Sequence, residues 1–226
     1  MSRALITGGS AGLGRAFAAA LTAHKWDVII TGRDERMLSA TAHDLGHQVT
    51  AVAGDVTDAT HRATLAERVS EGLDLLVNNA STLGGSPLLP VLDQSVDAVR
   101  SVFETNVLAP IALIQTLRPF MRVGGAVINI SSDAAVEHYE TWGGYASSKA
   151  ALDHVTLTLA AEDPDIRWWA IDPGDMRTQM HQDAFPGEDI SDRPEPETVV
   201  PSLLALIDRR PPSGRHRASE FAPVGV

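Results

Sequence analysis

The chain contains no cysteine. That excludes a disulfide framework, a thiolate-held iron–sulfur site and a cysteine nucleophile, and it agrees with a reducing compartment. Positive charge is scarce: Lys and Arg total 18 against 29 Asp and Glu, a formal net charge of −11. An acidic chain repels phosphate backbones, so nucleic acid is not an expected partner, although a local basic site for one phosphate is compatible with the balance. No stretch approaches the roughly 20 apolar residues of a membrane span. The apolar run at the N-terminus is ended by Gly8 and Gly9 and is too short for a secretory signal. The expectation is a cytoplasmic protein with no membrane partner. No linker, low-complexity tract or internal repeat divides the 226 residues. We therefore expect a single domain over residues 1–226, long enough to bury a core without staples.

What is present is ordinary globular material, 44% hydrophobic and 21% charged. Short β-rich runs at 4–7, 27–31, 49–53, 73–78, 126–131 and 166–171 alternate with helical patterns near 12–23, 34–44, 58–70, 93–121 and 143–162. That alternation predicts βαβ units around a parallel sheet. The runs are almost continuously apolar, as strands are when helices cover both faces. The fold class expected is α/β, a three-layer, doubly wound Rossmann sheet. Residues 180–197 break the pattern with Pro186, Pro194, Pro196 and many acidic side chains. They read as a substrate lid. A last helix is expected near 197–208, stopped by Pro211-Pro212, and the tail from Arg215 to Phe221 is a candidate edge strand.

The first strand runs into Thr7-Gly8-Gly9-Ser10-Ala11-Gly12-Leu13-Gly14 and then into a helix. Glycines let a backbone turn tightly and approach a pyrophosphate, and the helix N-terminus aims unpaired N–H groups at the anion. The second strand ends in Arg33, where an NAD site usually has an acidic residue for the ribose hydroxyls. A planar guanidinium suits a 2′-phosphate instead, which favours NADP(H) over NAD(H). Asp34 is the competing reading, and we assign it to the N-cap of the next helix.

Tyr145 and Lys149 share one helix face at i, i+4 spacing. A free phenol titrates near about 10, and a neighbouring ammonium is expected to lower that value. Tyr145 can then exchange a proton with a carbonyl or alcohol oxygen. Tyr139 serves as a control, because its i+4 position holds Gly143. Trp168-Trp169 read as core packing, and the histidines complete no metal pattern, so no metal is expected.

These motifs stand in a familiar order, and the chain resembles the short-chain dehydrogenase/reductase family over nearly its whole length. The glycine turn at 7–14, Asp55-Val56, Asn78-Asn79-Ala80, Ile128–Ser132, Tyr145-x3-Lys149 and Pro173-Gly174 followed by Thr178 carry the resemblance. It implies a catalytic set of Asn106, Ser132, Tyr145 and Lys149. It implies a cofactor site from Gly8, Ser10, Gly12, Leu13, Gly14, Arg33, Asp55, Val56, Asn79, Tyr145, Lys149, Pro173, Gly174, Met176 and Thr178. Ser132 would stabilise the charge on the substrate oxygen; Ser131 is set aside because adjacent strand residues face opposite ways. Asn106 would hold a relay water. Pro110 lies four residues on and lacks an N–H, which leaves the Asn106 carbonyl without its helical partner. Ser81 departs from the family glycine after Ala80, and the usual glycine-rich C-terminus is missing.

The function expected is hydride transfer between NADP(H) and a small carbonyl or alcohol substrate, as a carbonyl reductase and a homo-oligomer. Two alternatives stay open: an NAD-dependent alcohol dehydrogenase of the same fold, and a non-catalytic cofactor sensor.

Overall fold

The computed structural model describes residues 1–222; residues 223–226 of the expected domain lie outside the described residues. Seven parallel strands form one sheet in the order β3-β2-β1-β4-β5-β6-β7. They are β1 (Arg3–Thr7), β2 (Asp27–Gly32), β3 (Val49–Ala53), β4 (Leu73–Asn78), β5 (Met121–Ile130), β6 (Arg167–Asp172) and β7 (Gly214–Arg217). The order reverses between β1 and β4, and a crevice at such a switch point is where open α/β sheets bind ligands.

Helices α1 (Gly12–Ala23), α2 (Glu35–Leu45) and α8 (Val200–Arg209) lie on one face, while α3 (Ala59–Arg68), α5 (Ala109–Leu117) and α6 (Gly143–Glu162) cover the other. Two apolar clusters result. One joins Ile6, Phe17, Ile30, Ile128 and Leu203; the other joins Leu5, Leu65, Leu76, Leu113 and Val127. Neighbouring strand residues such as Leu5 and Ile6 therefore feed opposite clusters, so the strands read as unbroken apolar runs. Trp168 and Trp169 divide the same way and are fully buried, each indole N–H reaching a backbone carbonyl.

Three expectations need revision. The helix expected over 93–121 is interrupted. It runs as α4 (Val96–Phe103), a π-helical segment at Glu104–Leu108, and α5, with β5 already starting at Met121. Pro110 has no N–H to return to Asn106, so the helix widens and the Ala109 N–H bonds to Glu104 instead. The 180–197 segment is not all loop, because α7 (Gln179–Ala184) opens it. The tail strand is shorter than expected, giving way to a 3-10 turn at Ala218–Phe221. Among the described residues no helix is long and apolar enough to cross a membrane.

Candidate active site

A cavity of about 770 Å³ opens at the ends of β1, β2, β4, β5 and β6, within the usual range of roughly 300–1,000 Å³ for small-molecule sites.

Its first end is built from backbone. The chain leaves β1 through Gly8 and Gly12, both at positive φ (+66° and +51°), a conformation that costs a side-chain-bearing residue energy. Behind them, a Cβ at Gly14 would lie 2.3 Å from the Gly8 carbonyl oxygen, so only glycine lets α1 sit this close to the turn. Asn79 braces the corner. Its Nδ2 donates to the carbonyls of Thr7 (2.9 Å) and Gly8 (3.2 Å), while Thr7 Oγ1 accepts from the N–H groups of Asn79 and Ala80. The residue before α1, Ala11, supplies no side-chain cap, whereas Asp34 caps α2 by accepting from the Met37 N–H at 3.0 Å. The first N–H groups of α1 thus have no side-chain acceptor, beside a cavity wall of Gly8, Ser10, Gly12 and Leu13.

Arg33 stands exposed on the same rim and makes no hydrogen bond or ion pair among the described residues. Asp55 and Val56 follow β3 on the same wall. Burial pushes the Asp55 carboxyl up, but the Thr57 N–H and hydroxyl (2.9 and 2.8 Å), with Arg33, outweigh it and hold it below the ordinary value. A cradle that a Cβ would fill, open helical N–H groups and an unpaired guanidinium fit a phosphorylated dinucleotide. Gly14 itself lies behind the turn and off the cavity wall.

The other end is built from side chains. Tyr145 and Lys149 are buried in the first turns of α6 and line the cavity. Lys149 Nζ donates to the Ile130 carbonyl at 2.7 Å and lies 5.5 Å from the Tyr145 ring centre. Burial pulls its pKa down to about 8, against the attraction of Asp153. The expectation that the ammonium would lower the Tyr145 phenol needs correction. Burial pushes that phenol well up, the Asp133 and Asp172 carboxylates add to it, and the Ser132 and Ser81 hydroxyls only partly oppose them. At neutral pH Tyr145 therefore carries its proton.

Ser132 faces the cavity just beyond β5, but its hydroxyl donates to Asp133 Oδ1 at 3.0 Å. Ser131 is buried, and its hydroxyl has no hydrogen-bond partner. Pro173, Gly174, Met176 and Thr178 form the wall after β6, where the Gly174 N–H donates to Asp172 Oδ1 at 3.0 Å. Asn106 is buried behind the cavity rather than on its wall. Its side chain accepts from the Thr82 N–H (2.8 Å) and Ser81 Oγ (3.1 Å), and donates to Thr82 O (2.9 Å) and Ser148 Oγ (3.0 Å). It pins the loop after β4 against α6.

The motifs alone missed several cavity residues. Trp142 packs edge-on to Tyr145, with ring centres 5.6 Å apart, and touches Phe185, which packs on His181. Tyr139, the sequence control, lines the same cavity and donates to Asp133 Oδ2 at 2.8 Å; that bond pushes its phenol up to about 12. Asp133 had a usable signal, an acid directly after the serine. The aromatic wall had none, because Phe185 lies far along the chain. Glu137, His138 and Glu140 are exposed and off the cavity wall.

Fold and site together define a Rossmann-type oxidoreductase with a serine–tyrosine–lysine cluster. Residues 2–189 match the family model described as short chain dehydrogenase, and the chain belongs to that family, whose members use nicotinamide cofactors. It is 31% identical over 215 residues to the uncharacterized oxidoreductase YciK of Escherichia coli, covering 90% of this chain and 84% of that protein. It is 32% identical over 227 residues to the sepiapterin reductase of Xenopus laevis, covering 91% and 82%. A short chain dehydrogenase from Shigella flexneri, solved in complex with NADP, superimposes with a TM-score of 0.90 at 30% identity, covering 96% of this chain and 97% of that one.

Proposed function

We propose that the chain is an NADP(H)-dependent carbonyl reductase with Tyr145 as its proton donor. The observation that carries this reading is the buried Tyr145 phenol, set beside the Lys149 side chain in a cavity whose far end is the glycine corner. When bound, the nicotinamide supplies the hydride. Tyr145 gives its proton to the carbonyl oxygen as that oxygen becomes an alcohol. Ser132 turns its hydroxyl from Asp133 to the same oxygen, and Lys149 stabilises the phenolate left behind. Asn106 completes the set by fixing the loop over the site, with its backbone carbonyl as the seat for a water.

Gly8, Ser10, Gly12, Leu13 and the start of α1 would hold the pyrophosphate, with Gly14 permitting the close packing. Asp55, Val56 and Asn79 would flank the adenine half, and Pro173, Gly174, Met176 and Thr178 the nicotinamide. Arg33 would take the 2′-phosphate; its lack of any hydrogen bond or ion pair among the described residues, and the NADP in the Shigella flexneri structure, support that choice over NAD(H). The whole chain would act as one catalytic domain, and residues 180–197 as its lid. The Arg177–Glu195 ion pair and the Arg177 N–H bond to Pro194 O (2.8 Å) support a lid tied back at its far end.

The aromatic wall of Tyr139, Trp142 and Phe185, with Asp133 and Asp175 nearby, favours carbonyl compounds with an apolar or aromatic body over carboxylates. The lack of cysteine agrees with cytoplasmic work. Exposed Leu108 and Leu157 on the outer helices support a homo-oligomer. The test is NADPH absorbance across a panel of aryl ketones, aldehydes and keto acids. Consumption with neutral aromatic carbonyls is expected. Tight NADPH binding with no consumption on any carbonyl would favour the sensor alternative.

A further inference from the structure

Asp153 follows Lys149 by one turn of α6, as Lys149 follows Tyr145, so the three lie on one helix face. All three are buried. Asp153 takes no direct part in the chemistry outlined above, yet a buried carboxylate is costly unless something compensates it. The compensation comes from β7. Arg215 Nε donates to Asp153 Oδ2 at 2.8 Å. Its Nη2 donates to the Ser132 carbonyl at 3.0 Å, and the same nitrogen lies 3.6 Å from Asp172 Oδ2. The other oxygen of Asp172 accepts from the Gly174 N–H. One guanidinium fork thus joins the face that carries Tyr145 and Lys149, the backbone of Ser132, and the turn at Pro173-Gly174. The planar head of arginine spreads five donors over three nitrogens and suits such a junction; the three donors of a lysine leave from one nitrogen and cannot span partners this far apart.

We propose that Asp153 and Arg215 are positioning residues of this site: Arg215 holds Asp153 ionised one turn beyond Lys149, which keeps the ammonium charged, and it locks Ser132 in register with α6. The proposal rests on the Tyr145–Lys149 reading given above. The groups that bear on Lys149 and Tyr145 are Asp153 on α6, Asp172 at the end of β6, Asp133 in the loop after β5, and Arg215 behind Asp153 on β7. Of these, Asp153 is the one whose attraction opposes the loss of charge that burial imposes on Lys149. Burial pushes Asp153 itself up, and the Ser131 hydroxyl, Arg215 and Lys149 pull it back. Its second carboxyl oxygen makes no hydrogen bond of good geometry, the Ser131 hydroxyl standing beside it. Arg215 is the charged group that bonds this carboxylate directly.

The lysines of this chain are Lys25 and Lys149, so a lysine side-chain carbon label gives a spectrum in which the buried residue is read directly. The test is an NMR titration of Lys149 in wild type, Asp153→Asn and Arg215→Gln, with NADP(H) bound, alongside pH profiles of kcat/KM. The wild-type lysine should titrate far below an exposed lysine. Asp153→Asn should move the lysine's midpoint, and the alkaline limb of the rate profile, to lower pH by roughly one unit; Arg215→Gln removes a cation as well as the partner of Asp153, so its readout is kcat, expected to fall at least about tenfold. Arg215→Lys should keep the midpoint within a few tenths of a unit but lower kcat about tenfold with KM little changed, because it cannot hold Ser132 and Asp153 together. An unmoved Lys149 midpoint in Asp153→Asn, or wild-type kcat in both Arg215 variants, overturns the proposal. If Tyr145→Phe also retains full turnover, the underlying reading fails instead, so the two failures are distinguishable.

Discussion

The two ends of the cavity are made in different ways. The glycine corner uses backbone, and its pieces are neighbours in sequence: β1, the turn and α1 run on without interruption, braced by Asn79. The reactive end uses side chains recruited from afar. Arg215 reaches Ser132 across 83 residues and Asp153 across 62, and Phe185 meets Trp142 from α7's far end. A corner of backbone is specified by what its residues lack, namely side chains. A junction of side chains is specified by charge and shape, and each member can be removed singly. The corner should therefore fail through added atoms and the reactive end through deleted ones.

The largest effect expected at the reactive end after Tyr145 is at Ser132. Ser132→Ala should lower kcat by about 10²-fold, the scale of losing one hydrogen-bond donor to a developing oxyanion, with NADPH affinity preserved. Steady-state kinetics beside a fluorescence titration check it; a variant losing cofactor affinity instead would move Ser132 into the other half of the comparison. At the corner, adding one methyl is the damaging change. Gly14→Ala places a Cβ against the Gly8 carbonyl and the Asn79 amide, so it should destabilise the protein by about 1–3 kcal/mol and weaken NADPH and NADH alike. Thermal unfolding with both cofactors reads this, and wild-type stability would remove Gly14 from the packing argument. Smaller and more selective is Arg33→Ala. Losing a charge-assisted contact of about 1.5–3 kcal/mol should weaken NADPH roughly 10- to 100-fold and leave NADH unchanged. Equal loss for both cofactors would return the ribose to Asp34.

The same division explains what could be read from the letters alone. Strands β1 to β4 and β6 and the turn were legible because apolar runs and glycine spacing are local signals. So was the Tyr145–Lys149 face, since one helix carries both. Helix 93–121 misled because periodicity does not register a π-turn, although Pro110 announced a fault there. The direction of the phenol's shift was misjudged for a related reason. The i, i+4 ammonium is visible in sequence, but the depth of burial that pushes the phenol up is not. Asp153 carried a signal, a second i+4 step beyond Lys149, that gains meaning only when β7 delivers Arg215. The role of Tyr139 on Asp133 depended on a loop closing back on itself, which no spacing rule encodes.

The account stands most directly on the Tyr145 hydroxyl as the source of the proton. Tyr145→Phe removes that one atom and leaves a ring to fill the same space. NADPH should bind with an affinity close to wild type, while reduction of an aryl ketone that the wild type accepts should fall by about 10²- to 10⁴-fold. Reduction at the wild-type rate by the phenylalanine variant would contradict the account.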